Sequence, residues 1–210
     1  MFTLAEYEEL ASFAFSKDNP GYKPQVVESP DGDGVWDAEK KYAHIAPKYM
    51  AQVSPEVDVT RTQELYDRAV AEGKRVCEAL EFPPEYHPGY DTTLRVLDYP
   101  PGATTAPHYD FDFFTVCLYR DDTDAFKYLE GEEDPFLAQA RKISPGLHLG
   151  ELLEAAYGHK ATRHEVVGTD KRQKSAVLFI IPPHETVLPS GVTVGKWIAE
   201  RIARSRKTKD

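Results

Sequence analysis

The stretch APHYDFDFFTVCLY, residues 106–119, joins a histidine and an aspartate to a run of apolar and aromatic residues. Such a run is typical of a strand that is buried in a sheet. Because successive side chains of a strand point to opposite faces, we expect His108 and Asp110 on one face and Tyr109 on the other. The two polar groups fit a pair of metal ligands, and they equally fit a strand end that meets solvent.

The segments on either side of this stretch predict a mixed chain with a mainly β core. Helical spacing of apolar residues predicts helices in 4–16, 62–81 and 193–204, with 36–50 partly helical. Short apolar runs bounded by turn residues predict strands in 92–102, 108–119, 124–129, 160–168 and 174–183. Helices followed by many short strands and a last helix indicate an α+β chain built around a β-sandwich or barrel.

Composition excludes several classes of function. The 210 residues carry a net charge of −10, which argues against nucleic acid or an anionic membrane surface as a partner. No segment is long and apolar enough to predict a membrane span. The two cysteines, Cys77 and Cys117, form no Cys-x-x-Cys pair, so we expect free thiols, as in a reducing cytoplasm. The first residues are acidic rather than basic, which does not fit a signal peptide.

A third candidate ligand strengthens the metal hypothesis. His164 lies in a predicted strand 54 residues after Asp110. Two imidazoles and one carboxylate from neighbouring strands can occupy one face of an octahedral metal and leave three positions open, as in non-haem Fe(II) oxygenases. The sequence therefore predicts a ferrous site formed by His108, Asp110 and His164.

Four blocks of sequence follow one another in an informative order. They are LRVLDYPPG (94–102), HYDFDFFTVCLYRDD (108–122), PGLHLGELLEAAYGHKATRHEVV (145–167) and SAVLFIIPP (175–183). Together they resemble the isopenicillin N synthase-like family of Fe(II)- and 2-oxoglutarate-dependent dioxygenases. The match covers roughly residues 92–183, and the first ninety residues match loosely.

The resemblance implies a double-stranded β-helix (jelly-roll) core within a single domain, 1–210. In that domain 1–91 is a helical part with the lid, 92–190 is the core, and 191–210 is a helix with a basic tail. The resemblance also implies Fe(II) on His108, Asp110 and His164, with 2-oxoglutarate as cosubstrate. Tyr99 and Ser175 fall where the family places two residues that contact this cosubstrate.

One position departs from the family pattern. The family has an arginine two residues before the serine, where it binds the distal carboxylate of 2-oxoglutarate. Here that position is Gln173, and Arg172 comes one residue early. One step along a strand turns a side chain to the other face, so Arg172 needs a bulge or a turn to reach the pocket. We assign the role to Arg172 because a buried carboxylate needs a positive partner, with Gln173 as the alternative. His148, which replaces an asparagine of the family, is expected either to belong to the core or to support the site, in both cases without binding metal.

The predicted activity is the oxidation of a small molecule by dioxygen, with hydroxylation, desaturation or ring closure as the outcome. Two alternatives stay open: an Fe(II) oxidase of the same fold that does not use 2-oxoglutarate, and a metal-binding jelly roll that senses or binds a small molecule without turnover. The residues predicted to contact substrate are Phe114, Tyr22, Trp36 and Arg163.

Overall fold

The computed structural model describes residues 1–22, 41–121, 124–129 and 134–207. The amino-terminal part contains α1 (Leu4–Ala14), β1 (Lys41–Ile45), α2 (Pro47–Met50) and α3 (Thr60–Ala79). The strands that follow are β2 (Thr93–Tyr99), β3 (Thr105–His108), β4 (Phe114–Arg120), β5 (Phe126–Tyr128), β6 (His148–Leu149), β7 (His164–Val166) and β8 (Gln173–Ile180). The later helices are α4 (Pro135–Ile143), α5 (Glu151–Tyr157) and α6 (Val194–Lys207).

The strands form two antiparallel sheets. A five-stranded sheet has the order β1-β2-β8-β4-β6, and a three-stranded sheet has the order β3-β7-β5. The prediction of mixed helices and sheets is therefore confirmed. The segment 36–50 was expected to be partly helical: Pro47–Met50 forms α2, but Lys41–Ile45 pairs with β2 as an edge strand, and 36–40 lies outside the described residues. No helix of the described residues is long and apolar enough to cross a bilayer.

The large sheet separates a hydrophobic core from a cavity. Ala176, Leu178 and Ile180 of β8 belong to the core that α1 and α3 cover, while the alternate residues of β8 line the cavity. At Gly73 of α3 an added Cβ would lie 2.8 Å from the Leu178 side chain, so the helix approaches the sheet closely. Cys77 and Cys117 are both buried free thiols, as predicted.

The strand predicted over 108–119 is interrupted. β3 ends at His108, and β4 begins only at Phe114. The loop between them lies over the start of α5, where the backbone carbonyls of Asp110 and Asp112 accept hydrogen bonds of 2.8 and 3.1 Å from backbone amides. Because the interruption breaks the alternation of side chains, Phe114 does not share a face with the metal ligands. It is fully buried in the core, 6.0 Å from the ring of Phe82 between centroids.

A bulge in β4 alters the alternation a second time. Cys117 pairs with Val177, but Tyr119 pairs with Ala176, so Leu118 is an extra residue in β4. The backbone carbonyl of Leu118 accepts a hydrogen bond of 2.7 Å from the backbone amide of Phe2. Such a bulge turns the residues after it to the opposite face.

Candidate active site

The cavity lies between the two sheets, and both contribute to its walls. The small sheet presents Thr105, His108, Phe126, His164 and Val166. The large sheet presents Arg95, Leu97, Tyr99, Thr115, Arg120, His148, Gln173, Lys174, Ser175, Val177 and Phe179. The floor of this cavity is therefore built from residues of β2, β4 and β8.

The three predicted metal ligands come together at one end of the cavity. His108 ends β3 and pairs with His164, the first residue of β7, and Asp110 lies in the loop that follows β3. Each residue offers one ligand atom, and these three atoms lie within 4.8 Å of one another. Asp110 and His164 are buried, while the side chain of His108 is 38% exposed. The site is open to small molecules on the side of His108.

Backbone carbonyls fix the orientation of both imidazoles. Nδ1 of His108 lies 2.9 Å from the carbonyl oxygen of Ala106, and Nδ1 of His164 lies 3.0 Å from that of Thr162. Each Nδ1 therefore donates its proton to the main chain, which leaves Nε2 with a free lone pair. This pattern is the one by which proteins fix the tautomer of a metal-binding histidine.

The geometry fits a divalent metal such as Fe(II). The two Nε2 atoms lie 3.8 Å (His108) and 3.7 Å (His164) from the Asp110 carboxylate oxygens. Neighbouring ligand atoms around an octahedral ion with bonds of about 2.1 Å are roughly 3 Å apart, so these two contacts would shorten by less than about 1 Å on metal binding, and no pair of the three ligand atoms, which lie within 4.8 Å, would shorten by more than about 2 Å. Two imidazoles and one carboxylate are the donor set of non-haem Fe(II) oxygenases.

Hydrogen bonds hold the Asp110 carboxylate in its ionised form. Oδ2 accepts hydrogen bonds of 2.8 Å from His148 Nε2 and 2.9 Å from the Thr115 hydroxyl. Burial alone would raise the pKa of Asp110, but the hydrogen bond from His148, together with the charges of His148 and His164, lowers it well below its ordinary value. His148 thus supports the carboxylate without joining the three ligands, as the sequence predicted.

The imidazole of His164 is neutral over the physiological range. Burial and the neighbouring His148 lower its pKa to about 4. A neutral ring is required for metal binding, because the proton of an imidazolium occupies the lone pair that the metal needs.

Asp112 carries a second carboxyl group next to that of Asp110, and its pKa is shifted in the opposite direction. Burial, followed by the charge of Asp110, raises the pKa of Asp112 well above its ordinary value. Its Oδ2 lies 2.8 Å from the Thr115 hydroxyl, which also lies 2.9 Å from Asp110 Oδ2. The hydroxyl therefore bridges two carboxyl groups, of which burial favours the protonated form of Asp112 and hydrogen bonds favour the ionised form of Asp110.

Gly150 allows this loop to pack tightly. A Cβ atom at position 150 would lie 2.0 Å from the backbone carbonyl oxygen of Asp112 and 2.3 Å from its Oδ1. A glycine is needed where two backbones approach this closely. The loop carrying Asp110 and Asp112 thus rests directly on the start of α5.

The residues predicted for the cosubstrate divide into two groups. Tyr99 and Ser175 line the cavity, and so does Gln173. Arg172 is not among the lining residues: it is exposed, with its Nε and Nη2 donating to the Asp98 carboxylate at 2.6 and 2.9 Å. The assignment of Arg172 is corrected accordingly. β8 has no bulge at this point, since Tyr99 pairs with Gln173 and Asp98 with Lys174 in regular register.

The three predicted substrate residues that the structure describes do not line the cavity. Phe114 lies in the core, Arg163 is exposed, and Tyr22 packs its ring 5.6 Å from that of Phe15. Trp36 lies outside the described residues.

Sequence reasoning missed two arginines of the cavity wall, Arg95 and Arg120. Lys174 also borders the cavity, but its ammonium pairs with the Glu8 carboxylate of α1. The signal for Arg120 was a basic residue at the end of an apolar strand, but strict alternation from Thr115 would have placed it on the core side. Asp112 could have been placed beside the metal ligands from its spacing of two residues from Asp110, whereas no pattern in the sequence indicated Thr115.

Comparisons with known proteins bear on the fold. The sequence matches no protein-family model and no curated protein. Among solved structures, the chain is similar to a protein from Shewanella oneidensis described as an oxygenase, with a TM-score of 0.67, 20% identity, and coverage of 95% of this chain and 84% of that one. The chain shares the fold of these oxygenases.

Two further structures of this fold contain a 2-oxo acid. A full-length Neurospora crassa protein in complex with alpha-KG matches with a TM-score of 0.63, 16% identity, and coverage of 95% of this chain and 82% of that one. A dioxygenase for auxin oxidation from Arabidopsis thaliana, in complex with 2-oxoglutarate, matches with a TM-score of 0.55, 15% identity, and coverage of 89% and 82%. At these identities the likeness establishes the fold alone.

Proposed function

We propose that this protein is an Fe(II)- and 2-oxoglutarate-dependent dioxygenase that oxidises a small molecule. The observation that carries the proposal is the convergence of His108, Asp110 and His164 within 4.8 Å at one end of a cavity. The fold supports it, because solved structures of the same fold contain alpha-KG or 2-oxoglutarate. Membership of the isopenicillin N synthase-like family, a jelly-roll core and a single domain over 1–210 belong to the same proposal.

When bound, the iron and 2-oxoglutarate supply a strong oxidant from dioxygen, with succinate and carbon dioxide as by-products. The chain provides the surroundings in which that chemistry is directed at one substrate. His108 and His164 present neutral nitrogens, and Asp110 presents a carboxylate that hydrogen bonds hold in place. Leu97, Val177 and Phe179 form apolar walls that exclude water from the reacting atoms.

Gln173 favours a second candidate function. It occupies the position at which the family has its arginine, and it lines the cavity. Its amide nitrogen lies 3.3 Å from the carbonyl oxygen of Val167, so the side chain is already engaged with the turn that precedes β8. An oxidase of the same fold that draws its electrons from substrate would need no cation for a cosubstrate carboxylate at this position. A non-catalytic sensor would not need one either.

The test uses the full chain under anaerobic conditions. Metal-free protein is titrated first with Fe(II) and then with 2-oxoglutarate, and the visible absorption of the chelate is recorded. Air is then admitted, and succinate is measured. We expect an absorption band and slow release of succinate for the unmodified chain, and neither for Asp110→Asn. Iron binding without band or succinate would contradict the proposal and favour the oxidase or the sensor.

A further inference from the structure

The cavity contains a cation whose position depends on the bulge in β4. Thr115 and Cys117 precede the extra residue, and Thr115 lines the cavity. In a regular strand Tyr119 would face the cavity next, and Arg120 would face the core. The bulge reverses this order: Tyr119 stacks on Tyr7 of α1 with ring centroids 5.0 Å apart, and Arg120 lines the cavity.

Arg120 lies beside the predicted cosubstrate serine. It is the direct register partner of Ser175 on the neighbouring strand, so the two side chains point to the same face at adjacent positions. The family pattern also places a cation beside this serine, but on β8 itself. In the family pattern the arginine lies two residues before the serine on the same strand. In this structure the arginine lies directly opposite Ser175, on the neighbouring strand β4.

The guanidinium of Arg120 is available for a ligand. Its carbon lies 3.9 Å from the centroid of the Phe126 ring, and the parts of the chain that the structure describes place no carboxylate against it. A guanidinium stacked on an aromatic ring is fixed in orientation while its edge still offers N–H donors. Such an edge forms paired hydrogen bonds with a carboxylate.

The distance of Arg120 from the metal ligands suits the far end of a dicarboxylate. Thr115, which donates to the metal ligand Asp110, pairs with Phe179, whereas Arg120 pairs with Ser175. These two levels are four residues apart on β8, or about 13 Å. The Arg120 guanidinium stacks on the ring of Phe126, whose centroid lies 5.2 Å from that of the metal ligand His164. The side chain thus reaches back towards the metal end, which shortens the gap to the scale of a five-carbon acid with one end at the metal.

The second cavity arginine is placed differently. Arg95 donates through Nε to His44 Nε2 at 3.0 Å, and its guanidinium carbon lies 4.2 Å from the centroid of the Phe179 ring. Phe179 is at the level of Thr115, so Arg95 lies towards the metal end and on the opposite side of β8 from Arg120.

We infer that Arg120 binds the distal carboxylate of the 2-oxo acid cosubstrate together with Ser175, in place of an arginine on β8. The inference rests on the proposed function and adds to it the residue that selects a dicarboxylate. It also explains how the site can use 2-oxoglutarate with Gln173 at the family's arginine position and Arg172 on the outside.

The test compares two ligands that differ only at the far end. Dissociation constants for 2-oxoglutarate and for 2-oxopentanoate, which has a methyl group in place of the distal carboxylate, are measured anaerobically on Fe(II)-loaded full-length protein. Arg120→Gln should weaken 2-oxoglutarate by about 10- to 100-fold, as expected for the loss of a charge-assisted pair, and leave 2-oxopentanoate unchanged. Arg120→Lys, which keeps the charge without the fork, should lose an intermediate amount.

Arg95→Gln and Arg172→Gln are the matched controls, and both should leave the preference for 2-oxoglutarate unchanged. Iron affinity and the thermal unfolding midpoint show whether each variant is folded. An equal loss of both ligands in Arg120→Gln, or a selective loss in Arg95→Gln instead, would overturn the inference. Failure of the unmodified iron-loaded protein to bind either 2-oxo acid would instead remove the proposed function, so the two failures are distinguishable.

Discussion

The two ends of the cavity are built in different ways. At the metal end, short contacts fix each ligand: backbone carbonyls 2.9 and 3.0 Å from the two histidines, and a histidine and a threonine that donate to Asp110. At the far end, Arg120 enters the cavity only because one extra residue turns the last part of β4. The metal ligands are thus positioned by contacts with their immediate neighbours, whereas the position of the Arg120 charge depends on the register of β4 against β8.

The largest expected effect tests the metal end directly. Asp110→Asn removes the only negative charge among the three ligands, and we expect the Fe(II) affinity to fall by more than about 100-fold, the upper end of the loss seen when outer-shell partners are changed. Equilibrium dialysis against Fe(II) measures the change. Asp98→Asn, which alters an exposed ion pair, is the matched control and should bind iron normally. Normal iron binding by Asp110→Asn would mean that the carboxylate is not a ligand.

The next effect concerns the support of that carboxylate. His148→Phe keeps a ring of similar size and removes the 2.8 Å hydrogen bond to Asp110. Loss of such a supporting partner should lower the iron affinity by about 10- to 100-fold. His159→Phe, which alters a half-exposed histidine 3.4 Å from Asp134, serves as the control. Equal iron affinities in the two variants would remove His148 from the support of the site.

A smaller effect separates the two neighbouring carboxyl groups. Below about pH 4, where Asp112 carries its proton in both the folded and the unfolded state, Asp112→Asn should change the free energy of unfolding of the metal-free protein by less than about 1 kcal/mol, within the range of shape-conserving changes. The raised pKa of Asp112 means that the folded state binds its proton more tightly than the unfolded state does. Its contribution to stability is therefore full below the ordinary pKa of 3.8 and is lost as the pH rises.

Denaturant unfolding across this pH range measures that contribution. The unmodified protein should lose stability relative to Asp112→Asn as the pH is raised from about 4 towards neutrality. A change in the opposite direction, with the unmodified protein gaining on the variant, would show that Asp112 is ionised in the folded state.

The smallest effect belongs to the residue that sequence reasoning placed in the pocket. Arg172→Gln breaks an ion pair in which the arginine side chain is 46% exposed, so it should cost less than about 1 kcal/mol of stability. Binding of 2-oxoglutarate should be unchanged. A sharp rise in the 2-oxoglutarate concentration that this variant needs would instead show that Arg172 contacts the cosubstrate. The sequence would then have predicted both ends of the cavity correctly.

The sequence was sufficient for the metal end because spacing carries the information there. The ligand set is a histidine and an aspartate two residues apart, with a second histidine in a later strand. This set can be recognised without knowing which face of the sheet each side chain occupies. Phe114 could not be placed in the same way, since its assignment assumes unbroken alternation from His108. The same alternation puts Arg120 on the ligand face, where it does lie, but only because two irregularities of the strand cancel. The break at 109–113 and the extra residue Leu118 each shift that alternation, and neither is marked by glycine or proline in the strand.

The amino-terminal part of the fold, which contains β1 and α3, was also only partly predictable. The long helix was expected over 62–81 and is found at Thr60–Ala79. Its N-cap residue is Val59, and the Asp58 carboxylate accepts a hydrogen bond of 2.9 Å from the Thr60 amide. The stretch 41–45 forms a strand because β2 offers it a free edge, and such tertiary pairing is not encoded in the periodicity of the segment itself.

The hydrogen bond from Phe2 to Leu118 links the amino-terminal residues to the selectivity of the cavity for its ligand. An extra strand residue has no partner for its own carbonyl in the adjoining strand, and a buried carbonyl left alone costs about 1–3 kcal/mol. Phe2 supplies that partner, and Tyr7 covers the tyrosine that the bulge turns away from the cavity. Truncating the first few residues, or fusing a tag to them, would therefore loosen the bulge that turns Arg120 into the cavity. The result would be a smaller difference in affinity between dicarboxylic and monocarboxylic 2-oxo acids.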